Sequence, residues 1–430
     1  MKQISFPKGR AWIELNMDNL QHNVGVLQDI LPAHCKLMPA VKANAYGHGA
    51  INISRALNKL GIKAFCVASV MEGVELRKGR VKGEILILGY THPQQFPLLK
   101  HYRLTQTVID YEYAEKLNAY GKKCRVHISV DTGMKRLGEF SENIERILPI
   151  FACENLVVDG IYSHFSGQSD EFTQIQIDRF NGVLQKLKER GVDLPKAHLQ
   201  GSYGVLKRPD LSFDYARVGI ALYGAVTPGE MGLEMEQMQI ELRPVLSVKT
   251  RVTIVKEVYQ GEAVGYGDVF VAKNDMKIAV LSIGYADGIP RALSCGVGKV
   301  LIDGEFAPIV GYVCMDQIII DVTHIDYVKQ GDVATIIGRN DKKEIPVWQV
   351  AKQAATIPNE ILSRLGNRLA SPKHKPAPFE KIRCYLGEFL DAMSYRHMRV
   401  DVGASMLPHN FNLLVFLVRR LKDNGKANSC

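Results

Sequence analysis

Lys36-Leu37-Met38-Pro39-Ala40-Val41 runs directly into Lys42-Ala43-Asn44-Ala45-Tyr46-Gly47-His48-Gly49, so an apolar, strand-like stretch ends on reactive and flexible residues. Seven further stretches repeat the apolar phrase: Ala64–Ser69, Glu84–Gly89, Leu104–Ile109, Arg125–Val130, Val157–Tyr162, Lys196–Gln200 and Asp214–Val218. Helical spacings fall between them at Ile51–Leu60, Tyr113–Tyr120, Glu142–Phe151 and Phe172–Arg190, the last with Ile175, Phe180, Leu184 and Leu187 near one face. Eight strands alternating with helices over roughly 200 residues predict an α/β architecture closed as a (β/α)8 TIM-like barrel. The rival is an open doubly wound sheet, but the chain holds neither a G-x-G-x-x-G nor a G-x-x-x-x-G-K-[ST] phosphate loop.

The rhythm changes after Pro244. Val245–Val258, Lys277–Ile283, Lys299–Ile302, Pro308–Val313, Gln317–Val322 and Val333–Ile337 are short strand candidates, separated by turn pairs such as Asp303-Gly304 and Gly331-Asp332. They predict a C-terminal, mainly β domain over residues 241–370, which residues 1–9 are free to join, with the barrel over 10–240. Ser371–Phe379, rich in Pro and Lys, reads as a linker. The tail beyond it has one amphipathic stretch, Phe411–Lys422, and no role that its residues disclose.

With 430 residues, 46% hydrophobic and 23% charged, the chain is neither disordered nor a disulfide miniprotein. The net charge is +9, and Lys373–Cys430 holds 10 basic against 5 acidic residues, so the body is only mildly basic. That suits a small anionic ligand and gives no ground for a nucleic-acid partner. Eight scattered cysteines without a C-x-x-C pair fit reduced thiols, not zinc ligands or disulfides, and no metal is expected. Apolar runs such as Leu413–Val418 fall far short of a bilayer span. The expectation is a soluble, cytoplasmic protein without a membrane partner.

In a barrel the chemistry gathers where strands end and βα loops begin. A lysine is normally expelled from an apolar strand end, because burying an ammonium is costly; held inside, it is paired, or neutral and nucleophilic. Lys42 stands at such an end, beside Asn44, Tyr46 and His48. The loop Asp131–Gly138 with Arg136 follows the fifth strand, His164 the sixth, Gly201-Ser202 the seventh and Gly219-Ile220 the eighth, after Arg217. A rim of salt bridges would explain one of these groups. Lys, Arg, His and Arg at four ends point to an active site. Ser202, Gly219 and Ile220 offer a hydroxyl and backbone N–H groups where barrels usually seat a phosphate.

VKANAYGHG from Val41, VDTGMKRLG from Val130, RVGIALYG from Arg217, GYGDVF from Gly265, SIGYADG from Ser282 and GYVCMDQ from Gly311 follow one another across both domains. With these motifs the chain resembles bacterial alanine racemases, fold-type III enzymes that use pyridoxal 5′-phosphate (PLP), from about Arg10 to Ala370. The resemblance implies interconversion of L- and D-alanine and supply of D-alanine for peptidoglycan. It implies that Lys42 holds the cofactor covalently and that Tyr46, Ser202, Gly219 and Ile220 hold its phosphate. His164 and Arg217 would lie against the ring, Arg217 facing the pyridine nitrogen, and Arg136 would contact the phenolic oxygen and the substrate carboxylate. Tyr266 is the implied second base and reaches in from the other subunit, with Tyr285, Met315 and Asp316 completing the neighbour's site. A head-to-tail homodimer with shared active sites follows. Two bases suit a reaction that takes a proton from one face of a planar carbon and returns one to the other. An arginine at the ring nitrogen stays protonated and leaves that nitrogen neutral, which restrains transamination.

Two positions depart from the family pattern. Ser129 stands where a carbamylated lysine is common, so Arg136 needs another support. Asn359, in Ile357-Pro358-Asn359-Glu360, stands where a tyrosine is common. Asn359 is smaller and carries a donor and an acceptor, so it would admit and hydrogen-bond a hydroxymethyl group. Both departures resemble the serine/alanine racemase domains of vancomycin-type resistance, which leaves serine as an alternative substrate. A barrel-type PLP decarboxylase would share the lysine and the phosphate seat but not Tyr266 or the GYADG stretch.

Overall fold

The computed structural model describes residues 9–167, 169–229, 240–366 and 368–369. All belong to one compact unit, Met1–His374. The linker, the tail and the helix expected at Phe411–Lys422 lie outside the described residues.

Eight parallel strands form the ring of the first sheet, with a short ninth, Glu139–Phe140, added to the fifth: Lys36–Leu37, Ala64–Val67, Glu84–Ile87, Thr105–Val108, Cys124–Asp131, Leu156–Tyr162, Lys196–Gly201 and Tyr215–Arg217. They pair in chain order, with the first beside the last, and a bridge between Ala40 and Cys66 nearly closes the ring. This is the barrel that the alternation predicts. Its first strand is shorter than expected because Pro39 has no N–H to continue the ladder; the amides of Met38 and Ala40 carry it on to Ala216 O and Val218 O at 2.8 and 2.7 Å.

Side chains alternate along the strands. In Cys124–Asp131, Val126, Ile128 and Val130 alternate with buried His127, Ser129 and Asp131, so the barrel interior is polar where most such barrels pack Val, Ile and Leu. Helices cover the outside. Asp170–Glu189 starts at Ser169, whose hydroxyl accepts the Phe172 N–H at 3.2 Å, and buries Ile177, Phe180, Val183 and Leu187. Ile175, expected on that face, is exposed.

The second domain is antiparallel. Leu246–Val258, Met276–Leu281, Ile318–Asp321, Glu305–Val310, Lys299–Ile302 and Val333–Asn340 pair in that order, and the last returns to the first. Ala11–Leu15, inside the segment expected as barrel, instead pairs antiparallel with Leu246–Val258, Ala11 opposite Thr250. A buried carboxylate anchors it there. Asp287 of the SIGYADG stretch accepts two N–H groups of Arg10 at 2.6 and 3.0 Å, and Arg10 also donates to Ser282 O at 2.7 Å. The two domains are joined through helix Met17–Asp29, where buried Asn23 donates to Leu222 O and Arg243 O and accepts the Arg243 N–H.

Candidate active site

The lysine at the end of the first strand is followed by a left-handed turn. Ala43, Asn44, Ala45 and Tyr46 have φ of 51°, 54°, 54° and 51°. Each such residue costs roughly 1–2 kcal/mol, so the turn persists only where its surroundings hold it. The Ala43 N–H donates to Glu72 Oε1 at 2.8 Å, while Glu72 Oε2 accepts the Ala68 N–H at 2.6 Å. Asn44 Oδ1 accepts the Ala50 N–H at 2.9 Å. Buried His48 donates through Nδ1 toward Ala45 O and Tyr46 O, at 3.0 and 2.8 Å, and stacks on the Tyr223 ring at 4.3 Å. Gly47 lies so close to helix Pro358–Ser363 that a Cβ would stand 2.3 Å from Leu362 O. Lys42 thus leaves a strained but clamped backbone.

Its side chain enters a cavity of about 460 Å³ at the C-terminal mouth of the barrel, lined also by Tyr46, Arg136, His164, Ser202 and Arg217. Burial and the Arg136 charge push the Lys42 amine below the ordinary lysine range, which favours the neutral, nucleophilic form. Burial, with the charges of Arg217, Arg136 and Lys42, pushes His164 down to about 3, so this imidazole is neutral. Burial pushes the Tyr46 phenol up to about 12, its hydrogen bond with Asn359 acting the other way. Among the described residues, Lys42, Arg136 and Arg217 face a single lining carboxylate, Asp131, whose Oδ1 already accepts the Gly133 N–H at 2.7 Å. The cavity therefore carries a positive field.

One wall is made of hydroxyls and loop backbone. Ser202 Oγ accepts the N–H groups of Gly219 and Ala221 at 2.9 and 3.2 Å, fastening together the loops after the seventh and eighth strands. Having accepted twice, it keeps its O–H to donate. A Cβ on Gly219 would stand 2.7 Å from the Tyr46 hydroxyl, so only glycine leaves room for the phenol at this wall. Arg217, 5% exposed, donates to Ser163 O and to Leu199 O, lies 3.2 Å from His164 Nδ1 and sits 4.7 Å over the Tyr162 ring. Burial lowers its pKa, yet a guanidinium stays charged.

Residues 15–227 match the alanine racemase N-terminal domain and residues 245–372 the alanine racemase C-terminal domain. The chain belongs to the alanine racemase family. An alanine racemase of Carboxydothermus hydrogenoformans is 37% identical over 366 residues, covering 84% of this chain and 98% of that protein. An amino-acid racemase of Enterococcus faecalis is 42% identical over 366 residues, 84% of this chain but 51% of that protein, so the chain spans about half the length of this relative. A solved alanine racemase of Clostridium difficile 630 aligns with a TM-score of 0.79 at 31% identity, over 86% of this chain and 96% of its own.

Of the residues that the alanine racemase resemblance singles out, those on the barrel meet in the one cavity. Gly219, Ile220 and Asn359 line it beside the six side chains already named. Tyr266, Tyr285 and Met315 do not line it. They lie on the sheet domain, 73%, 43% and 53% exposed, and Asp316 there pairs with Arg368. Ser129 is buried in the cavity wall, while Arg136 has no carboxylate partner among the described residues. Sequence reasoning missed Glu72 and the buried pair His127 and His198. Ser69-x-x-Glu72 is legible as a helix-capping signature, and the structure contains that box. Its second bond, to the turn after Lys42, has no sequence signal.

Proposed function

We propose that the chain is active as a PLP-dependent amino-acid racemase, interconverting L- and D-alanine by a two-base mechanism as a cytoplasmic homodimer, and supplying D-alanine for peptidoglycan. The observation that carries this reading is a half-buried, pKa-depressed lysine facing a cation-rich cavity with a hydroxyl- and amide-lined wall. Those residue types fit PLP. Lys42 would hold its aldehyde carbon, Tyr46, Ser202, Gly219 and Ile220 its phosphate, and Arg217 its ring nitrogen, with His164 beside the ring. When bound, PLP supplies an electron sink that acidifies the α-hydrogen of an attached amino acid.

The chain's own residues do the rest. Arg136, unpaired by carboxylate, orients the substrate carboxylate. Lys42, tending to the neutral amine, takes or returns the α-proton at Nζ on one face of the substrate. Tyr266 of a second copy does so on the other face, with that copy's Tyr285, Met315 and Asp316 completing the enclosure. No helix among the described residues is long and apolar enough to cross a membrane.

Chiral analysis of alanine and serine after incubation with purified, PLP-loaded protein is the direct test. D-alanine formed from L-alanine is expected, and inversion of neither amino acid would overturn the reading. Borohydride treatment followed by peptide mapping should leave the pyridoxyl label on the Lys42 peptide. A specific observation favours serine as a second substrate: Asn359 lines the cavity together with Tyr46 and presents an amide there. Exchange of the α-hydrogen for solvent deuterium without carbon dioxide release separates a racemase from a decarboxylase.

A further inference from the structure

The barrel interior holds a line of polar groups that the proposed chemistry does not use. Arg217 Nη1 donates to His198 Nδ1. His198 Nε2 lies 2.8 Å from His127 Nδ1, and His127 Nε2 lies 2.9 Å from Glu84 Oε1. That last contact is an ion-pair distance without hydrogen-bond alignment, and neither atom has a hydrogen-bond partner among the described residues. Arg217 ends the last barrel strand and Glu84 begins the third, so the line crosses the barrel from its C-terminal mouth to its opposite end. Both histidines are fully buried. The fold makes space for them: a Cβ on Gly160 would stand 2.6 Å from the His127 ring, and Tyr162 stacks on His198 at 4.9 Å and 7°.

The direction of both hydrogen bonds is forced. Arginine only donates, so His198 Nδ1 is the acceptor and its hydrogen is on Nε2. That hydrogen points at His127 Nδ1, which must be bare, so the His127 hydrogen is on Nε2 and faces the carboxylate. Protonating either ring would set one N–H against another along the line. Burial, with the Arg217 charge, also lowers the affinity of His198 for a second proton. At the far end, burial pushes the Glu84 carboxyl up, but its contact with His127 and the nearby Lys196 and Arg125 hold it below its ordinary range; Asp159 there is paired with Arg125 at 2.6 Å.

We propose that His198, His127 and Glu84 are positioning residues for Arg217: two neutral imidazoles of fixed tautomer carry its counter-charge from a carboxylate across the barrel, which sets the guanidinium plane while leaving the mouth free of a competing anion. This rests on the reading of Arg217 as the group at the cofactor ring nitrogen. Two measurements on the full, PLP-loaded chain test it. Nitrogen-15 spectra of labelled histidine, assigned with His127→Gln and His198→Gln, should show both rings neutral with the hydrogen on Nε2 from pH 6 to 8. Glu84→Gln keeps a carbonyl acceptor and removes the charge; it should lower kcat for alanine by about tenfold, the scale seen when partners of a ligand-holding residue are altered, with KM little changed. His127→Gln preserves the order of acceptor and donor and should restore most of what His127→Leu loses.

A cationic ring, a hydrogen on Nδ1 of either histidine, or wild-type kcat in Glu84→Gln would overturn the proposal. Should Glu84→Gln not fold, equal losses in His127→Gln and His127→Leu would do the same. The tautomers are read without substrate, so they stand or fall independently of whether the protein racemises alanine.

Discussion

The barrel mouth and the tip of the sheet domain carry the two halves of the proposed site on opposite physical terms. At the mouth, Lys42, His164 and Arg217 are enclosed, mutually hydrogen-bonded or charge-coupled, and shifted in their proton affinities. At the tip, Tyr266 stands in solvent between Gly265 and Gly267, which have φ of 84° and 72°. Its hairpin, closed by the Val264 N–H on Phe270 O at 2.9 Å, rests on a small separate core of Val258, Val264, Ala272, Ile278 and Val310. Exposed Val269, Val271, Tyr285 and Met315 belong to the same domain. A group whose ionisation must be altered is built into a low-dielectric interior. A group that acts only on another molecule is left outside, and an exposed apolar surface around it suits an interface.

That contrast breaks first under mutation. Lys42→Ala and Tyr266→Phe should each cost about a hundredfold to ten-thousandfold in kcat, since each removes a proton-transfer group. In a two-fold dimer with shared sites, mixing the two inactive variants restores one intact site per mixed dimer, so after random reassortment about a quarter of wild-type activity returns. Inactivity of the mixture, with subunit exchange verified, would place both bases in one chain and erase the distinction between mouth and tip.

Acid should find the mouth before the tip. His48 is pushed down to about 4 and His164 to about 3, burial leading in both, whereas imidazoles of the unfolded chain titrate near 6.5. Between those values the unfolded state binds more protons than the folded one, so stability is lost as pH falls from 6.5 toward 4 and the slope fades below 3. Each histidine contributes about 1.4 kcal/mol per pH unit within that window. Denaturant midpoints measured from pH 7 to 5 should show the loss; a flat profile would mean that these rings are not held neutral.

Much of this contrast was legible in the sequence. The eight apolar phrases and the polar groups at their ends were readable because strands repeat every two residues and barrels collect chemistry at one end. The change of rhythm after Pro244 announced the antiparallel domain for the same reason. What was not readable is what several separate segments make together. Ala11–Leu15 falls within the range read as barrel, and nothing in the sequence announces that Arg10 meets Asp287, 277 residues away. The left-handed turn after Lys42 has no glycine before Gly47 to announce it, and the Glu72 carboxylate that grips it sits 29 residues on from Ala43. Glu72→Ala should accordingly destabilise the protein by about 1–3 kcal/mol, the scale of a lost charged hydrogen bond, and raise the susceptibility of the 42–50 segment to proteolysis. Unchanged stability would mean that the turn is held from the Pro358–Ser363 side alone.

The smallest effect expected lies where the two regions meet. Helix Pro358–Ser363 follows the sheet domain in the chain, yet its Asn359 reaches the barrel cavity and lines it with Tyr46. A tyrosine at 359 would fill that corner and remove the amide. The expected outcome of Asn359→Tyr is a shift of the serine-to-alanine ratio of kcat/KM toward alanine by about 1–3 kcal/mol, roughly tenfold to two-hundredfold, with alanine racemisation itself largely kept. Such a shift is large enough to measure and too small to switch the enzyme from one substrate to another. An unchanged ratio would show that Asn359 serves the Tyr46 phenol alone, and that the substrate side chain is bounded by other groups at the mouth.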